Sequence, residues 1–172
     1  MTRLDRHREY ERLLQAHRGI VYKVAHSYSR NAADRDDLVQ EICLQLWRAF
    51  PSYDVNRPFS TWMYRVALNV AISETRRRSR EQPGHFEPLS AIHVETIKAG
   101  DSSRENEQLD VLHAFIGQLE PLHRALILLY LDERSYAEIA EIIGISETNV
   151  ATKLARIKQT LRGQITAATN GA

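Results

Sequence analysis

The chain has 172 residues, 43% of them hydrophobic and 26% charged, with 23 Lys+Arg against 22 Asp+Glu for a formal charge of +1. That composition is globular, and the length suits one ordinary domain or two small ones. The single cysteine, Cys43, excludes an internally disulfide-bonded scaffold; the polar amino terminus lacks a signal-peptide core, and no run reaches the roughly 18 apolar residues of a membrane span, so a soluble intracellular protein is expected.

Apolar residues recur at helical spacing and strand-length alternation is missing, so the sequence predicts an all-α fold. Leu13, Leu14, Ile20, Val21, Val24 and Ala25 outline a first helix, with an interruption near Gly19. A second runs from about Asp34 to Phe50, with Leu38, Ile42, Leu46, Ala49 and Phe50 on one flank; its acidic start suits the helix dipole and Pro51 stops it. A third starts after Pro58, near Ser60, and continues through Trp62, Met63, Val66, Ala67 and Val70 toward Arg78. Residues 79–108 carry Pro, Gly and Ser without periodicity, which predicts a linker at 81–107 between domains at 1–80 and 108–172.

Helical pattern resumes at Leu109, Pro121 suits the first turn of a largely buried helix, and Ser135 with Glu138 has the spacing of a capping box. Gly144 then ends a short helix, Ile145 packs inward, and Ser146 caps a longer one that keeps Val150, Leu154, Ile157 and Leu161 for the core. Small Ala140, Gly144 and Val150 fall where two helices would cross closely. This is the pattern of a helix-turn-helix, which leaves Thr148, Asn149, Thr152, Lys153 and Arg156 facing out as readers of a major groove.

The near-neutral total hides opposed blocks. Residues 65–78 carry +3 and residues 147–172 carry +3, whereas 79–108 carry −3 and 109–146 carry −4. Two basic segments separated by acidic ones suggest two contacts with a polyanion. In the first, Arg65, Asn69, Ser73 and Arg76 recur at four- and three-residue steps behind Phe59 and Trp62. Aromatic rings, an amide and cations on one stripe suit unstacked bases, and Arg76, Arg77 and Arg78 suit phosphates. Upstream, Asp37, Gln40, Glu41 and Leu44 share a helix face fit to dock a partner helix.

The segments DLVQEICLQLW at 37–47, RPFSTWMYRVALNVAI at 57–72 with the RRRSR tail, and SYAEIAEIIGIS at 135–146 strongly resemble the extracytoplasmic-function (ECF) sigma factors of bacterial RNA polymerase. The resemblance covers roughly 10–80 and 108–163. It implies two small helical domains, a region 2 bundle and a region 4 helix-turn-helix, that bind core RNA polymerase and direct it to promoter DNA. Carried over by position, Asp37, Gln40 and Glu41, helped by Trp47, dock on the largest polymerase subunit. Phe59, Ser60, Thr61, Trp62, Arg65 and Asn69 hold the opened minus-ten element, with Asn69 at a flipped base and Arg76, Arg77 and Arg78 on phosphates. Thr148, Asn149, Thr152, Lys153 and Arg156 read the minus-thirty-five element. The linker threads polymerase channels, which brings in the second-largest subunit, and an anti-sigma factor is an expected partner that can hold the protein at the membrane from the cytoplasm.

Four departures stand out. Ala151 and Ala155 replace a basic and a bulkier residue in the recognition helix, which predicts weakened or altered minus-thirty-five recognition, and Ser73 and Thr75 replace the usual residues near the end of the third helix. The other readings explain less. An enzyme has no support, because the seven histidines show no metal-ligand pairing and there is no HExxH, Walker loop or nucleophile motif. No cofactor, metal, small-molecule substrate or direct membrane insertion is expected. A sigma-like adaptor needs no base-capturing stripe, and a simple helix-turn-helix repressor leaves 36–80 without a role.

Overall fold

The computed structural model describes residues 2–81 and 103–171, and every regular element among them is helical. Contacts divide the chain into two units, 1–78 and 79–172.

The first unit contains α1 (Arg3–Tyr28), α2 (Ala32–Ala49), a 3₁₀ turn (Phe50–Ser52) and α3 (Phe59–Glu81). Thr2 caps α1 reciprocally: its Oγ1 accepts the Asp5 amide at 3.2 Å, and the Asp5 carboxylate accepts the Thr2 amide at 3.1 Å. The expected break at Gly19 does not occur. Gly19 is exposed and helical, and the buried residues immediately after it, Ile20, Val21, Val24 and Ala25, outweigh the roughly 1 kcal/mol that an interior glycine costs. Asn31 caps α2 through Oδ1, which accepts the Asp34 amide at 2.8 Å. Pro51 lies within the 3₁₀ turn that closes α2, as its lack of an amide requires.

Three helices meet over Leu38, Ile42 and Leu46 of α2 and Met63, Tyr64, Ala67, Leu68 and Ala71 of α3, all buried. Beside this aliphatic core runs a contiguous set of rings. Trp47 lies 5.1 Å from Tyr10, Tyr10 5.3 Å from Phe50, Phe50 6.2 Å from Trp62, and Tyr53 5.2 Å from both Phe59 and Trp62. The Tyr10 hydroxyl donates to the Cys43 carbonyl at 2.9 Å, and burial pushes its pKa up to about 12. Burial likewise raises the Cys43 thiol, the opposite of what a nucleophilic thiolate needs.

The second unit contains α4 (Ser103–Gln118), α5 (Pro121–Leu131), α6 (Tyr136–Ile143) and α7 (Glu147–Asn170). The onset of α4 at Ser103 places part of the predicted linker, 103–107, in a helix. Its first turns, SRENEQ, hold good helix formers and no apolar residue, so periodicity could not reveal them. Residues 82–102, the rest of that linker, lie outside the described residues.

Pro121 takes the first position of α5. The unexpected member of this core is Arg124, 5% exposed: Nε donates to the Ile116 carbonyl at 3.2 Å, and Nη2 to the carbonyls of Gly117 at 2.9 Å and Leu119 at 3.2 Å. It satisfies the carbonyls that the end of α4 leaves without an intrahelical partner. Ser135 Oγ accepts the Glu138 amide at 3.1 Å, but Glu138 lies 3.7 Å from Arg134 in an ion pair, so the reciprocal half of the expected capping box is replaced by a salt bridge. Gly144 closes α6 with φ +83°. A Cβ there would meet nothing within 4 Å, so the backbone conformation calls for glycine, not the expected close crossing. Ile145 and Leu161, expected inside, are half-buried.

Candidate nucleic-acid interface

Helix α3 separates its own functional and structural faces by geometry. At about 100° per residue, Trp62, Arg65, Asn69, Ser73 and Arg76 fall within one quadrant, and Met63, Tyr64, Ala67 and Ala71 within the opposite half. The observed burial follows the wheel: Arg65, Asn69, Ser73 and Arg76 are exposed, Trp62 is half-buried, and the opposed four are 0–1% exposed. Trp62 begins the exposed stripe half-buried, held in the aromatic set by Phe50, Tyr53 and Phe59 at 6.2, 5.2 and 5.2 Å.

The other residues assigned to this stripe sit elsewhere. Phe59 and Thr61 are 5% and 7% exposed, Phe59 packing on His17 and Tyr53; both sit in the core and support the interface from beneath. Ser60 shares the wheel position of Tyr64 and Ala67. The three arginines diverge because they are consecutive. Arg76 shares the side of Asn69, Arg77 flanks it and pairs with Glu74 at 2.8 Å, and Arg78, nine residues beyond Asn69, points about 180° away. There its Nη1 lies 3.7 Å from Asp34 Oδ2 and donates to the Tyr28 carbonyl at 3.5 Å. Ordinary helix spacing would have revealed this; the run of three arginines obscured it.

On α2, Asp37 and Gln40 are exposed, Glu41 is half-buried and accepts from Gln45 Nε2 at 2.7 Å, and Leu44 is 42% exposed. These form the anticipated stripe. Trp47 lies at the margin of the stripe, about 20° from Gln40 on the wheel, half-buried and packed between His7 and Tyr10, and exposed Arg48 continues the i, i+4, i+7, i+11 series. The loop 53–58, whose Arg57 and Pro58 open the RPFSTW segment, is exposed from Asp54 on and shaped: Asp54 Oδ1 accepts the Asn56 amide at 3.0 Å, and the Tyr53 hydroxyl donates to the Arg57 carbonyl at 2.7 Å.

In the second unit, Ser146 Oγ accepts the Asn149 amide at 3.1 Å and starts α7 at Glu147. Val150, Leu154 and Ile157 are buried, and Thr148, Asn149, Thr152 and Arg156 are exposed on the opposite side, as expected. The Thr152 hydroxyl donates back to the Thr148 carbonyl at 2.9 Å, which leaves its oxygen as an acceptor toward solvent. Lys153 is half-buried at the margin, where with Arg156, Phe115, Leu119 and His123 it lines a cavity of about 230 Å³. The exposed face is thus two threonines, an asparagine and an arginine at the amino-terminal half of a capped helix, the arrangement in which a recognition helix presents base readers. Among the described residues no group of His, Cys, Asp and Glu could hold a metal, and no helix is long and apolar enough to cross a membrane.

Comparison with known proteins agrees with both halves. Residues 13–81 match the Sigma-70 region 2 family and residues 109–161 match Sigma-70, region 4. The ECF RNA polymerase sigma factor SigW of Bacillus subtilis is 29% identical over 154 residues, covering 84% of this chain and 82% of that protein. The ECF RNA polymerase sigma-E factor of Escherichia coli is 29% identical over 157 residues, covering 84% and 81%. Among solved structures, the sigma factor RpoE of Bartonella quintana, in complex with the anti-sigma factor NepR, superposes with a TM-score of 0.74 at 19% identity over 92% of this chain and 97% of that one. CnrH, in complex with the cytosolic domain of CnrY, gives 0.64 at 22% over 94% and 90%. With regions 2 and 4 matched in order on the two helical units, the chain belongs to the sigma-70 family as an ECF RNA polymerase sigma factor, a non-enzymatic factor of transcription initiation.

Proposed function

We propose that the first unit, from the amino terminus to about residue 80, docks on core RNA polymerase and captures the opened minus-ten element, and that the unit from about 108 to 172 reads the minus-thirty-five element. In this reading 81–107 is the connection that passes through polymerase, in contact with its second-largest subunit. The observation that carries it is the single exposed stripe of Trp62, Arg65, Asn69, Ser73 and Arg76 on a helix whose opposite side is core. An amide amid cations and one partly exposed indole can hydrogen-bond a base edge while neutralising the flanking phosphates and stacking a neighbour. Capture of unstacked bases offsets the few kcal/mol that each flipped base costs, so melting needs no covalent chemistry.

Asp37, Gln40 and Glu41 dock on the largest subunit through helix-in-groove contact, with Leu44 as the apolar end of the stripe and Arg48 extending it; Trp47, half-buried against Tyr10, helps at the margin of the stripe. Arg65, Asn69 and Arg76, flanked by Arg77, contact DNA; Phe59, Ser60 and Thr61 hold the stripe in place. Thr148, Asn149, Thr152 and Arg156 address base edges and Lys153 the adjacent phosphate. One solved neighbour is bound to the anti-sigma factor NepR and the other to the cytosolic domain of CnrY, and an anti-sigma partner for this chain would cover the same surfaces. The protein acts in the bacterial cytoplasm, and is held at the membrane where that partner is a membrane protein.

Run-off transcription with core polymerase on genomic fragments tests the reading. Wild type initiates, and Asn69→Ala lowers initiation roughly tenfold or more through lost base contact. Asp37→Ala lowers it by weakening polymerase binding, seen as a higher protein concentration at half-maximal signal. No initiation by the wild type overturns the function; equal initiation by all three overturns the residue roles.

A further inference from the structure

We propose that Asp34 is a positioning residue for the DNA-contacting face of α3 and acts through Arg78; the proposal rests on the minus-ten reading above. The last fully buried side chain of α3 is Ala71; over the ten residues after it, about 15 Å of helix, burial falls to the half-buried Ile72, Glu74, Thr75 and Arg78. Arg76 and Arg77 ride on that projecting part. A helix end whose core contact thins out frays and swings unless it is fastened, so something must set its direction for those cations to meet phosphates at a defined register.

Asp34 supplies the anchor. It occupies the first turn of α2, where the helix dipole favours an anion, and its own backbone is held by the Asn31 cap. Its Oδ2 accepts Arg30 Nε at 3.1 Å and lies 3.7 Å from Arg78 Nη1, and the same Arg78 nitrogen donates to the carbonyl of Tyr28, the last residue of α1. One carboxylate thus joins the α1–α2 corner to the far end of α3. The side chains of Asp34 and Arg78 are 23% and 19% exposed, which protects the pair from much of the screening that makes surface pairs weak. Removal of the carboxylate leaves Arg30 and Arg78 facing each other as like charges, and the end of α3 moves away from the corner. The cationic stripe is then aimed wrongly although every DNA-contacting residue is still present.

The sign of the effect separates this from a direct electrostatic role. Asp34 is an anion in a protein that binds a polyanion, so by charge alone Asp34→Asn should strengthen DNA binding. As a positioning residue it should weaken open-complex formation instead.

The test uses holoenzyme assembled from the full chain and core polymerase, on a promoter fragment selected by run-off with the wild type. Strand opening is followed by permanganate reactivity over a salt series for wild type, Asp34→Asn, Arg78→Gln, Arg78→Lys, the Asp34→Asn/Arg78→Gln double variant and Asn69→Ala. Expected are a drop of about three- to tenfold for each single neutral variant, no further drop in the double variant, partial recovery in Arg78→Lys, and an unchanged salt slope throughout. Hydrogen exchange of the free protein should show faster exchange of amides 74–81 in Asp34→Asn with 63–71 still protected, a reading that does not depend on transcription. Opening at or above wild type in Asp34→Asn, a salt slope reduced by about one in Arg78→Gln alone, or unchanged exchange at 74–81 each overturns the proposal. A wild type that opens no promoter, or an indifferent Asn69→Ala, overturns the underlying minus-ten reading instead.

Discussion

The two units are built in opposite ways. The first, 1–78, carries 14 basic and 9 acidic residues, and its core includes a run of rings from Trp47 through Tyr10 and Phe50 to Trp62. The second is acidic everywhere except on α7, has an aliphatic core, and depends on capped helix ends: Arg124 at the end of α4, Gly144 at the end of α6, Ser146 at the start of α7. Both units cap their helices, but in the second the buried guanidinium of Arg124 and the left-handed Gly144 make single helix ends carry more of the stability.

The largest expected effect tests that contrast. Arg124→Ala removes three hydrogen bonds to buried carbonyls and opens a cavity, and should cost the second unit about 3 kcal/mol or more in urea unfolding while the first unit's transition stays put. A loss shared by both transitions would break the comparison. Next in size, Gly144→Ala forces a side chain into a left-handed backbone and should cost about 1 kcal/mol, again in the second unit only, by thermal unfolding. A smaller effect concerns DNA. Ala151→Arg on α7 should steepen the salt slope of duplex binding by about one unit, since the recognition helix would gain one phosphate contact; unchanged affinity and slope would show that α7 does not lie in the groove as placed.

The smallest sharpens the account of the first unit. The folded-state pKa of Tyr10, about 12, lies above the ordinary phenol value, so neutral Tyr10 favours the folded state. That contribution is intact below pH 10 or so and is lost as pH rises toward 12. Alkaline titration followed by tyrosine absorbance should show a late-ionising component that is smaller by one tyrosine in Tyr10→Phe.

Much of the fold was readable along the chain, because helices announce themselves by local spacing. Pro121 and Ser146 sit where the pattern put them, and α7 turns the anticipated residues outward. Failures occurred where local rules gave no signal. A polar first turn hid the start of α4, and Gly19 was allowed to remain helical by packing of its neighbours. The site was legible to the same degree. Asn69, Arg65 and Arg76 follow from period alone, whereas the burial of Phe59 and Thr61 depends on which helices close over them.

The sequence by itself determined an all-helical chain in two parts, the helix-turn-helix, the charge blocks and the residues that can share a face, since each depends on groups within a few residues of one another. Only the tertiary structure decided that Arg78 turns back to Asp34 while Arg76 and Arg77 face outward, and why a buried arginine belongs in the second core. Arg78 meets Asp34 across 44 positions of sequence, and Arg124 meets the end of a preceding helix. Such pairings depend on chain return, and no local period encodes the partner that a long side chain will find.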